Sequence, residues 1–156
     1  MNQDLEKLRA IADFQFGIGA GHTLIPEGSA IEYSKNTGKP RHVFFKGELL
    51  ANLRPNDALF TLTISGAKRL VENLRDFNYT VTLNDEVVEF VEQGKNLFAK
   101  HVTDADEEIR PGQEVVVVDS KRNVIAVGKA QLNKEEMLAF QVGVAVKVRR
   151  GRRRHR

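Results

Sequence analysis

The 156-residue chain is 41% hydrophobic, enough to bury the core of one ordinary domain or two small ones, and carries a formal net charge of +3. It has no cysteine, which excludes a disulfide framework and any zinc site built on thiolates, and it has no apolar run near the roughly 20 residues of a membrane helix. The charge is lopsided: seven of the 24 lysines and arginines fall within Lys147–Arg156, leaving 17 basic against 21 acidic groups, a net −4, over the rest. A basic segment set so apart favours a local contact with a polyanion over general adhesiveness. The opening "MNQDLEKLRA" carries acids early and has no apolar stretch of the signal-peptide kind, so the expectation is a soluble, cytoplasmic protein.

In chain order, residues 4–16 place Leu5, Leu8, Ile11, Ala12 and Phe16 near helical spacing, with Asp4 as N-cap. Gly17 and Gly19 end that helix, and "GIGAG" (17–21) reads as a flexible linker. A phosphate loop would need a strand before it and a helix N-terminus after it. Short strands follow at 30–34, 41–46 and 48–53, with turns at 36–39 and 46–48, then a turn at 54–57 and a strand at 59–63. Residues 65–74 form a helix with Ser65 as cap, and "RDFN" (75–78) marks a boundary between two halves. Beyond it come a strand at 79–83, a helix at 85–94 ended by Gly94, a strand at 96–102, a solvated acidic turn at 104–108, and a turn at Pro111-Gly112. Residues 114–119 read as a strand buried on both faces. In the next strand, 124–132, Gly128 marks a bulge or close backbone approach. Asn133 and Glu136 spell a capping box for a helix at 133–140, and the last strand spans 143–150. The fold class expected is α+β. A small mixed N-terminal domain, an antiparallel sheet with helices (1–78), precedes a β pseudobarrel (79–151) and a basic tail (152–156).

The four histidines lie far apart and lack the paired spacing of a metal site, no GxSxG elbow is present, and nothing nominates a catalytic residue, a metal or a cofactor. What remains is the stretch from 92 to 151. After Gly94 it presents Lys95, Asn96, Lys100 and His101, which either solvate a strand edge or contact RNA.

The pieces "QGKNLFAKHV", "EIRPGQEVVVVD", "VIAVGKAQL" and "KEEMLAFQVGVAVKVRRG" occur in order over residues 80–151. Together they resemble a PUA domain, the RNA-binding module named for pseudouridine synthases and archaeosine transglycosylases. "LRAIADFQFGIGAG" (8–21) and "SKNTGKPRHVFFKGELLANLRPNDALFTLTISGAKRL" (34–70) are similar to the domain preceding PUA in archaeal tRNA-guanine transglycosylases. The catalytic barrel of that family, its aspartate nucleophile and its cysteine-rich zinc site have no counterpart here.

The resemblance implies an RNA-facing surface formed by Gly94, Lys95, Asn96, Phe98, Lys100 and His101 together with Lys147, Arg149 and Arg150, with Arg152, Arg153 and Arg154 of the tail adding electrostatic reach. In it, Gly94 admits phosphate to the backbone and the cations neutralise phosphates. Phe98 is either a stacking platform or, as an alternating strand position favours, part of the core. The expected function is RNA binding, of tRNA in particular, linked to tRNA modification. It comes with no enzymatic activity of the chain's own, or with an accessory role docked on a separate transglycosylase catalytic chain.

Overall fold

The computed structural model describes residues 3–153, and the chain divides into two compact units between Phe77 and Asn78.

The first unit opens with α1 (Gln3–Phe16), whose Leu8, Ala12 and Phe16 recur at helical spacing and are buried. Asp4 is a helical residue and not the cap; its carboxylate accepts the Tyr33 hydroxyl at 2.6 Å. The glycine run is a tight joint and not a slack linker. Gly17 and Gly19 take φ of +111° and +97°, a region open to glycine, and the chain turns directly into the short α2 (Ala20–Leu24). Gly21 lets α2 lie against α1: a Cβ there would sit 2.4 Å from the Arg9 carbonyl oxygen.

Strands β1 (Ala30–Tyr33), β2 (Pro40–Phe45), β3 (Glu48–Leu53) and β4 (Phe60–Leu62) then form an antiparallel meander in sequence order. Val43, Ala51 and Leu62 are in register on its buried face. Helix α3 (Ile64–Asn73) is capped by Thr63, whose hydroxyl oxygen accepts the Gly66 N–H at 3.0 Å. Ser65, the expected cap, donates instead to Glu48. The threonine wins because it still has extended backbone angles at the end of the strand, as an N-cap requires.

The second unit contains β5 (Thr80–Leu83), β6 (Leu97–Phe98), β7 (Val102–Ala105), β8 (Glu114–Val118), β9 (Val124–Ala130) and β10 (Val144–Gly151), in the sheet order β6-β10-β9-β8-β5-β7. Its edge strands, β6 and β7, are neighbours in sequence, separated only by the 3-10 turn Ala99–His101. A sheet whose two edges share one short connection must curl until those edges nearly meet. All pairings are antiparallel except β5 with β8, which run parallel. The architecture is therefore α+β, an antiparallel sheet with helices followed by a PUA-like pseudobarrel. Its core includes Val81, Leu97, Val115, Val117, Ile125, Met137 and Val146.

Every residue of β8 is buried. Close backbone approach accounts for Gly128, where a Cβ would lie 2.2 Å from the Lys147 carbonyl oxygen; the accompanying register shift falls on β10, between Val148 and Arg150. The capping box at α5 (Lys134–Ala139) is present with both bonds, each 2.9 Å.

In this unit three further expectations change. Residues 85–94 are not one helix: Asn84 caps a 3-10 turn, Asp85–Val87, which leads into a single α-helical turn, α4 (Val88–Val91). The expected strand 96–102 is broken after Phe98 by the 3-10 turn that crosses the barrel seam. The acidic run 104–108 is only partly a solvated turn, since Ala105 is buried in β7. Asp106 accepts both the Thr80 N–H (2.8 Å) and the Thr80 hydroxyl (2.9 Å), pinning the start of β5.

Candidate nucleic-acid interface

The residues nominated from sequence fall into three groups. The first surrounds the turn after α4. Gly94 has φ +108°, and its N–H donates to the Val91 carbonyl at 2.9 Å. Lys95 and Lys100 are exposed and His101 is half-buried. Asn96 has a structural duty, its Oδ1 accepting the Val148 N–H at 2.9 Å and tying the turn to β10. Phe98 is not a core residue: it is 46% exposed, beside Val144 in the ladder, because β6 is too short to carry it under the barrel wall. Phe140 (43%) and Val142 (79%) in the α5–β10 connection are exposed as well.

The second group lies on β10. Lys147 and Arg150 are exposed. Arg149 is held by Glu114: Nη1 donates to Oε1 at 2.9 Å and Nη2 to Oε2, a two-pronged pair on a carboxylate whose side chain is only 2% exposed. Sequence reasoning missed Lys129, the one exposed residue of β9, which pairs in register with Lys147 on one side and Glu114 on the other. The available signal was a lone lysine closing an otherwise apolar strand segment, just after Gly128.

The third group begins the tail. Arg152 and Arg153 are not a loose extension. Arg152 Nε donates to the Glu92 carboxylate at 2.9 Å, and Arg153 Nε lies 3.3 Å from the same oxygen. Their backbone N–H groups bond the carbonyls of Ile125 and Glu92. Gly151 fits tightly here, since a Cβ would come 2.1 Å from the Glu92 carbonyl oxygen. Asp119 also feels Arg152. Burial pushes its carboxyl up, but hydrogen bonds from the Asn123 side chain and from the Asn123 and Lys121 backbone, with the Arg152 charge, hold it below its usual value. Arg154 lies outside the described residues.

Among the described residues no three His, Asp or Glu side chains converge to hold a metal ion, and no helix is long and apolar enough to cross a membrane.

Residues 6–76 match the patch-forming domain C2 of tRNA-guanine transglycosylase, and residues 79–152 match the PUA domain. The tRNA-guanine(15) transglycosylase of Methanothermobacter thermautotrophicus is 41% identical over 148 residues, which cover 95% of this chain and 23% of that protein. The protein of the same name from Thermococcus kodakarensis is 46% identical over 142 residues, covering 91% and 24%. This chain therefore spans about a quarter of the length of these curated relatives. Among solved structures, a hypothetical protein from Pyrococcus horikoshii superposes with a TM-score of 0.70 at 23% identity, over 97% of this chain and 91% of that one. A PUA domain from Aeropyrum pernix superposes with the same score at 12% identity, over 94% and 80%. At those identities the likeness is one of fold.

These relatives correct one expectation, that the chain is not an enzyme. The proteins it matches at 41–46% identity bear the name of an enzyme, so membership of a non-enzymatic class is not supported. With C2 and PUA in this order, the chain is a PUA-domain protein matching the C-terminal part of archaeal tRNA-guanine transglycosylases.

Proposed function

We propose that the chain holds RNA, tRNA in particular, for tRNA modification, gripping it through the second unit. One observation carries this reading: Lys95 and Lys100 are exposed on either side of Phe98, itself 46% exposed, on a PUA barrel. Lysines in water neutralise backbone phosphates, and an aromatic face left in solvent offers a surface on which an unpaired base stacks. Gly94 and Asn96 serve this surface by shaping the turn that displays Lys95. The test is binding of bulk tRNA across a salt series. Lys95→Gln with Lys100→Gln should flatten the slope of log affinity against log salt by about 1.4–1.8, at about 0.7–0.9 per lost phosphate contact. Salt-independent binding, or none at low salt, would sink the reading.

A second reading, docking on a separate transglycosylase catalytic chain, is favoured by Phe14 (83% exposed) and Ile18 (94% exposed), which are far more open than core-forming side chains. Phe14→Glu with Ile18→Glu should then abolish co-purification with that catalytic chain after nuclease treatment. Unchanged co-purification counts against this reading.

A further inference from the structure

Lys129 and Lys147 face each other across the β9–β10 ladder, both exposed. Side chains directly opposite in an antiparallel pair stand about 5 Å apart at Cβ, and like charges so placed repel. The natural relief would be Glu114, the register partner of Lys129 on β8. That carboxylate is already occupied by both terminal nitrogens of the Arg149 guanidinium. Among the described residues neither lysine forms an ion pair. The sheet face therefore keeps two cations together, against local stability, while the carboxylate in register with them is engaged by Arg149. Such a conflict inside an otherwise consistent strand is the mark of a site kept for an external anion.

We propose that Lys129 and Lys147 form a phosphate-binding pair on the β9–β10 sheet face, a contact with the RNA backbone additional to the turn at Lys95–Lys100. The Arg149–Glu114 bridge acts as its fixed floor: it holds the guanidinium in place and prevents Glu114 from neutralising Lys129. The ligand chemistry is the phosphodiester backbone, with no reading of base identity, because two mobile ammonium groups carry charge without a directional donor pattern. This assignment rests on the RNA-binding reading and adds Lys129 to it.

The experiment uses the full chain, bulk tRNA as probe, and binding measured over a salt series, with thermal unfolding followed in parallel. Lys129→Gln and Lys147→Gln should each flatten the log–log salt slope by about 0.7–0.9, and the double variant by about twice that. Lys134→Gln, beside Asp104 in an acidic neighbourhood, should leave the slope as it was. Removing the mutual repulsion should leave the unfolding temperature unchanged or raise it. Wild-type binding with a steep slope that survives in the double variant would overturn this pair and leave the RNA reading standing. No salt-dependent binding by the wild type overturns both. A slope lost together with a lowered unfolding temperature makes the lysines props of the fold and overturns the proposal.

Discussion

Lys147 and Arg149 stand two residues apart on one strand, and the sequence presents both as cations of a single basic run. The structure separates their circumstances. Arg149 has a buried carboxylate gripped at both ends, while Lys147 faces water opposite another lysine. The same division recurs at the strand's end, where Arg152 and Arg153 converge on Glu92, whose side chain is 11% exposed. A planar, multi-donor guanidinium suits a fixed carboxylate; a strongly hydrated ammonium on a flexible stem suits a diffuse polyanion. Among the described residues, the basic end is thus two systems: Arg149, Arg152 and Arg153 fasten the strand to the barrel, while Lys147 and Arg150 stay exposed and available to a ligand.

The largest effect expected from this division is on stability. Arg149→Ala leaves Glu114 charged and buried without its guanidinium. Breaking a fully buried pair costs about 3–5 kcal/mol, and because Arg149 is itself 39% exposed the expected loss is about 2–3 kcal/mol in urea unfolding. Adding Glu114→Gln should restore part of it by removing the stranded charge. If Arg149→Ala instead leaves stability intact and flattens the salt dependence of RNA binding, Arg149 belongs with the lysines and the division fails.

The fold was legible where local chemistry and packing agree. The all-buried β8, the capping box at Asn133 and Glu136, and Gly128 under Lys147 could all be read directly, because each needs only its own few residues. Where a distant partner decides, the sequence misled. Phe98 alternates as a core residue should, but the chain must cross the barrel seam immediately after it, so the strand stops and the ring stays in water. Arg149 and Arg152 look like free charges because Glu114 and Glu92 lie 35 and 60 residues away. Lys129 was overlooked for the converse reason: one lysine in an apolar strand is unremarkable until its register partner is known to be another lysine.

A smaller effect probes the division at its second location. Glu92→Gln keeps an oxygen to accept from Arg152 and Arg153 but removes the charge, replacing charge-assisted hydrogen bonds with neutral ones. Such a change costs about 1 kcal/mol, so the unfolding midpoint should fall only modestly. The informative readout is RNA affinity. If the two arginines are chiefly fasteners, deleting the opposing carboxylate raises the local positive charge by one, and the salt slope should steepen by up to about 0.9. If instead Glu92 holds both guanidinium groups in position against bound RNA, the weakened grip should flatten the slope and loosen binding. A steeper slope with a slightly less stable barrel supports the fastener role; a flatter slope moves Arg152 and Arg153 into the RNA contact itself.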